Sequence, residues 1–154
     1  MALPVSLTSL TTREAITDAL YRAVRGFDSN DVEFLNSSFI GEDVTLVING
    51  ESMNDLTTIR EGVFARVGPM DTTHTISNIR IEVKDGAETA SLSAIAVAQH
   101  CPPGRGKEPD GPKFLAGSEY TLDLVLDQAT GLWKIKKWIL DILWTQGEPS
   151  VMGL

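Results

Sequence analysis

Apolar residues recur along this chain first with a helical period and then with a strand period. Ala15, Ile16, Ala19, Leu20, Ala23, Val24 and Phe27 fall on a single stripe, which predicts an amphipathic helix. Thr11-Thr12-Arg13-Glu14 has capping-box spacing, with Thr11 as N-cap and Glu14 reaching back. Gly26 and the polar run Asp28-Ser29-Asn30-Asp31 end that helix. A second short helix is expected to carry Val32, Phe34, Leu35 and Phe39, followed by a short strand over 44–48 closed by Asn49-Gly50. A third helix starts near Asp55, capped by Ser52 or Asn54. It turns Leu56, Ile59, Val63, Phe64 and Val67 inward and stops at Gly68-Pro69.

Beyond that point the period is two. Residues 73–83 and 88–101 read as strands joined at Lys84-Asp85-Gly86, a hairpin signal. Residues 102–112, rich in Gly, Pro and charge, form a loop. Residues 114–127 and 132–144 make a second hairpin. The parity of apolar positions breaks near Ser77-Asn78 and at Lys136-Lys137, so a bulge is expected at each. Helices followed by long antiparallel strands predict one α+β domain over 1–154, a curved sheet wrapped around the N-terminal helices. Residues 1–10 and 146–154 are expected to be flexible, the tail fraying from Thr145.

One face of the sheet stands out. Ala90, Leu92, Ala94, Ala96, Ala98 and His100 share a parity, and small side chains on an inward face leave room for a helix or a cavity. On the next strand Tyr120, Leu122, Leu124 and Leu126 share the inward parity, bringing the Tyr120 hydroxyl toward the same space.

Composition narrows the function. A net charge of −8 without a block of Lys or Arg argues against nucleic acid and against anionic membrane. The single cysteine, Cys101, fits a reducing compartment. The N-terminus lacks a basic, apolar leader and no stretch is long enough to span a bilayer. A cytoplasmic protein is expected.

The chain has two histidines, His74 and His100, both on expected strands. Imidazole is the side chain whose unperturbed pKa lies nearest neutrality. With Asp28 at a helix end they supply the parts of a general acid/base site. Taken singly, each is as well explained as a hydrogen-bonded strand residue or a solvated helix cap. Two histidines and a carboxylate could also suit a metal, but ligand spacing on one element is missing, so neither a metal nor another cofactor is expected. Cys101 beside His100 points to the opposite face. Gly104-Arg105-Gly106-Lys107 lacks the strand-to-helix context of a phosphate loop. Taken on composition alone, Trp133, Trp138 and Trp144 read more readily as core than as function.

These residues resemble a known family. Phe27-Asp28-Ser29-Asn30-Asp31, Thr72-Thr73-His74, His100, Gly131-Leu132-Trp133-Lys134 and Asp141-x-x-Trp144 are similar in order and spacing to motifs of the scytalone dehydratases. These form part of the SnoaL-like branch of the NTF2-like superfamily. The similarity runs over roughly Thr12 to Glu148. The resemblance implies a cone-shaped α+β barrel with a deep pocket. It also implies a site of Asp28, His74 and His100, in which the aspartate supports one acid/base histidine and the other orients water or substrate. Two departures are visible. Phe27 stands where the family has a carbonyl-binding tyrosine, and Asn49 or Gly50 stands near the second. A counterpart of the family's long C-terminal lid is not expected after Trp144.

The expected activity is a cofactor-independent lyase, isomerase or cyclase of polyketide or terpenoid-related natural-product biosynthesis. Asp28, His74 and His100 are catalytic, and Phe27, Asn49, Tyr120, Leu122 and Trp144 bind an apolar or aromatic carbonyl substrate. Asn49 or Tyr120 replaces the lost polar contacts, and the 102–112 loop partly covers the pocket. A homodimer or homotrimer is expected. Two alternatives remain: a non-catalytic binding or dimerisation module, and an epoxide hydrolase using Asp28, Arg80 and Asp123 or Asp141, whose strand parities converge poorly.

Overall fold

The computed structural model describes residues 3–154. Helix α1 (Thr12–Asp28) opens with the expected capping box: Glu14 N–H donates to Thr11 Oγ1, and Thr11 N–H donates to the Glu14 carboxylate. Its apolar stripe is buried from Ile16 to Phe27. Helix α2 (Val32–Ser37) is capped by Asp31, whose carboxylate accepts from Phe34 N–H at 3.0 Å. The two helices cross where Gly26 lies; a Cβ there would stand 2.8 Å from Leu35 N, so only hydrogen fits. Phe39 falls outside α2 and makes a parallel bridge to Ile135.

A buried arginine fixes the helices to the sheet. The Arg22 guanidinium donates to Asp18 at 3.0 Å, to the Ser37 carbonyl and to the Trp133 carbonyl at 2.6 Å. No apolar periodicity announces such a residue, because its stem packs as a hydrophobe while its fork satisfies backbone oxygens.

The sheet has six strands in the order β2-β1-β6-β5-β4-β3: β1 (Thr45–Ile48), β2 (Glu51–Met53), β3 (Asp71–Glu82), β4 (Thr89–Cys101), β5 (Phe114–Asp127) and β6 (Leu132–Gly147). It is curved and open, with β2 and β3 as its edges, and the β1–β6 pairing is parallel. Asn49 and Gly50, with φ of 50° and 86°, do more than close β1. They form the tight turn into β2, a strand too short and polar to show a period. Asp55, rather than Ser52 or Asn54, caps the next helix. That helix, α3 (Leu56–Ile59), continues through a π-helical turn (Arg60–Phe64) into a last turn, Ala65–Val67.

Bulges bend the long strands. One lies in β3 between Ser77 and Arg80, with Asn78 at φ 53°. Another skips Lys136 in β6, where Asp123 pairs with Lys137 and Leu124 with Ile135. Both were expected. A third was not: Gly117 pairs with Trp144 and Ser118 with Ile142, leaving Leu143 over. The helices fill the concave face, packing Ile16, Leu20, Leu35 and Ile59 against Leu92, Leu122, Leu124 and Ile135. Each such side chain contributes about 1.5–3 kcal/mol of burial.

The chain end also differs from expectation. β6 continues to Gly147 instead of fraying at Thr145, because Phe114 and Leu115 offer it backbone partners. A 3-10 turn (Pro149–Met152) follows. Among the described residues no helix is long and apolar enough to cross a membrane.

Candidate active site

The concave side of the sheet, α1 and the π-helical turn enclose a cavity of about 810 Å³, a size suited to a small organic molecule. Its wall along the sheet is built from the alternating inward residues of β4 and β5. Ala98 faces Ala116, Ala96 faces Ser118 and Ala94 faces Tyr120. Of these, Ala98, Ala116, Ser118 and Tyr120 line the cavity over the end of β4 that carries His100, whereas Ala94 and Ala96 belong to the packed core.

Asp28 and His74 meet where the end of α1 passes over β3. Asp28 Oδ1 lies 2.6 Å from His74 Nδ1, and Asp28 Oδ2 accepts the His74 backbone N–H at 2.9 Å. Thr72 Oγ1 donates to Oδ1 at 2.7 Å. The carboxylate is thus clamped from three directions, with side-chain exposures of 13% for Asp28 and 10% for His74. Burial works to raise the Asp28 pKa, but the hydrogen bonds and charge of His74, with help from Thr72, outweigh it. The carboxyl sits below its ordinary 3.8. An ionised carboxylate only accepts, so His74 carries its proton on Nδ1. Its Nε2 has no hydrogen-bond partner among the described residues.

His100 belongs to the middle of the sheet. Its Nδ1 lies 3.1 Å from the Phe114 carbonyl oxygen, which again accepts only, so this ring also holds its proton on Nδ1. Burial, and secondarily the charges of His74 and Arg66, depress its pKa against the opposing pull of Phe114 O and Asp28. The two imidazoles stand edge to face, 5.9 Å between centroids. Phe27 covers His74 at 6.2 Å and Phe114 covers His100 at 6.2 Å. The arrangement is two imidazoles in an apolar box, one backed by a carboxylate and one by a carbonyl.

Of the expected substrate contacts, Phe27, Asn49 and Tyr120 line the cavity. Asn49 is partly committed to structure, since its Oδ1 accepts the Ile142 N–H at 2.9 Å. Leu122 does not line the cavity and is fully buried beneath it. Trp144 does not line it either. The unexpected bulge at Leu143 turns its ring to the outer face, where it lies on Gly117, whose missing Cβ it occupies. The 102–112 loop is not a cover: Gly106 N–H is tied to Asp71 at 2.7 Å and none of the loop lines the cavity. The tail takes that place with Met152 and Leu154. Arg80, Asp123 and Asp141 pair with Ser93, Ser91 and Glu119, on the outward row of the sheet, so the epoxide-hydrolase set is not assembled. Ser118 and Arg66 line the cavity and were missed; the parity of Tyr120 was the signal that could have found Ser118. No group of three His, Cys, Asp or Glu able to hold a metal ion occurs among the described residues.

An open cone of curved sheet, plugged by helices and holding an Asp–His pair in a deep pocket, defines a class of α+β pocket proteins. Within that class the chain belongs to the SnoaL-like domain family of the NTF2-like superfamily, residues 8–139 matching the family model. Terrestric acid biosynthesis cluster protein E of Penicillium crustosum is 43% identical over 153 residues, 99% of this chain and 97% of that one. Two solved structures share the fold. The proposed scytalone dehydratase of Novosphingobium aromaticivorans has a TM-score of 0.73 at 20% identity, covering 88% of this chain and 87% of that one. The LinA-type3 hexachlorocyclohexane dehydrochlorinase of Novosphingobium barchaimii has a TM-score of 0.69 at 18% identity, covering 89% and 90%.

Proposed function

We propose that this protein is a cofactor-independent enzyme of natural-product biosynthesis that moves protons on an apolar carbonyl substrate, with dehydration or ring isomerisation and cyclisation as its chemistry. The observation that carries this reading is the 2.6 Å contact of Asp28 with His74 Nδ1 at the wall of the cavity. The relative from a terrestric acid cluster supports the biosynthetic setting.

His74 Nε2 is the base. It takes the proton beside the carbonyl, and the C–H electron pair enters an enolate. Asp28 stabilises the imidazolium so formed, as a carboxylate does beside a catalytic histidine. Expulsion of a β-hydroxyl returns that proton to the leaving oxygen, so water departs and His74 is neutral again. Return of the proton to another carbon gives isomerisation instead. His100 stays neutral and accepts a hydrogen bond from a hydroxyl or water at Nε2, which orients it.

The test is deuterium exchange from D₂O into 2-tetralone, an enolisable ring ketone of suitable size, followed by NMR. Asp28→Asn and His74→Ala are expected to lower the catalysed rate by about 10²–10⁴. A wild-type rate equal to buffer, or unaffected variants, would contradict the assignment.

We also propose self-association through the outer sheet face. Val97, Gly117 and Trp144 are neighbours across β4, β5 and β6, and Val97 and Trp144 are exposed. Sedimentation of the wild type and of Trp144→Ser tests it: a monomeric wild type rejects the idea.

A further inference from the structure

The β5 wall of the cavity is built as an oxygen-binding subsite, and it lies on a residue whose chemistry the proton-transfer scheme does not use. Tyr120 is 2% exposed, lines the cavity, and sits at the centre of β5 on the inward row. A buried phenol normally finds a hydrogen-bond partner. This hydroxyl makes none among the described residues. Its pKa is driven well above the ordinary 10 by burial first and by the Asp28 charge second, with no hydrogen bond contributing. It therefore remains a neutral O–H.

Its neighbour Trp138 also lines the cavity with its ring, but its Nε1–H is sealed from the space and has no hydrogen-bond partner among the described residues. The rings of Tyr120 and Trp138 pack edge to face with centroids 5.1 Å apart, which holds the phenol in place. Ser118, two residues before Tyr120 on the same inward row, lines the cavity beside it. Native interiors leave few polar groups unpaired, and an unpaired one calls for an explanation. For the Tyr120 hydroxyl, which lines the cavity, a ligand acceptor is the explanation that fits.

We infer that the Tyr120 hydroxyl donates a hydrogen bond to the carbonyl or enolate oxygen of a neutral ring substrate, laid along Ala98, Ala116 and Ser118 with its other end at His74 and His100. The inference rests on the carbonyl-substrate reading above and names the group that replaces the tyrosine absent at Phe27. Negative charge that develops only during reaction suits such a donor. A permanent carboxylate does not, because the Asp28 charge already acts on this hydroxyl and repels it.

Paired binding measurements with 2-naphthol and naphthalene test this subsite without any proton transfer from carbon. Wild-type protein is expected to bind 2-naphthol at least tenfold more tightly than naphthalene. Tyr120→Phe, which removes only the hydroxyl, is expected to abolish that preference while leaving naphthalene affinity within about twofold. Asp28→Asn serves as the control. It is expected to keep the preference while losing proton exchange, so the subsite and the acid/base assignment fail separately. An undiminished preference in Tyr120→Phe would overturn the inference, as would no preference in the wild type up to the solubility limit of both probes.

Discussion

The two histidines face the same cavity from adjacent strands and hold the same tautomer, yet their surroundings differ in kind. His74 lies on β3, at the sheet edge, where the end of α1 delivers a clamped carboxylate 2.6 Å from its Nδ1. His100 lies on β4, inside the sheet, where its Nδ1 meets a backbone carbonyl at 3.1 Å. A carboxylate can stabilise an imidazolium; a carbonyl dipole in a dry site compensates poorly for lost solvation. The pair is therefore asymmetric: His74 is equipped to gain charge during a reaction, and His100 to remain uncharged. Edge position matters here, because an edge strand leaves its flank open to a helix end.

Substitutions at the His74 side break the comparison most severely. Asp28→Asn removes the counter-charge and replaces a pure acceptor with an amide, and His74→Ala removes the base. Each is expected to reduce 2-tetralone exchange by about 10²–10⁴, measured by NMR. His100→Gln keeps a donor for Phe114 O and loses only an orienting acceptor. Its expected reduction is nearer the low end, about 10²-fold or less. Equal losses at the two positions would erase the asymmetry.

The acid side of the stability profile sharpens the same contrast. His100 has a depressed pKa in the folded protein, so between that value and its ordinary 6.5 the unfolded chain binds more protons. Stability present above 6.5 is lost as pH falls through this window. Melting temperature is expected to decline there in the wild type and to stay flatter in His100→Gln. Asp28 is depressed below 3.8, so its contribution is lost only in stronger acid, as pH falls through the lowered value. Smallest of all is Trp144→Ala. Its ring lies on the outer face against Gly117, and 2-tetralone exchange should stay within about twofold, since changes remote from a site seldom exceed that.

Much of this arrangement was legible in the sequence because it rests on periodicity. The stripe from Ala15 to Phe27, the Thr11–Glu14 box and the alanine row ending in His100 follow from spacing alone, and the family motifs add Asp28 beside one of the two histidines without saying which. What escaped lies where a period breaks. The extra residue at Leu143 reverses the face of Trp144, and a bulge among mixed apolar and polar residues leaves no trace in composition. Strand β2, Glu51–Met53, has too few residues to alternate. The tail looked unstructured because Gln146, Gly147 and Glu148 are polar. They nevertheless join the fold: Gly147, at φ +99°, pairs with Phe114, and Glu148 N–H donates to Lys113 O.

The asymmetry of the histidines is tested most directly by the ¹⁵N shifts of their imidazoles in labelled protein across pH 4–8. Two ring systems are present, so His74→Ala assigns both. The expected result is an Nδ1–H tautomer for each ring at neutral pH, with His100 titrating below its ordinary 6.5. The His74 Nδ1 proton should be shifted far downfield by its carboxylate partner and should return upfield in Asp28→Asn. An Nε2–H tautomer at either position, or a His100 that titrates at 6.5 or above, would contradict the division of roles.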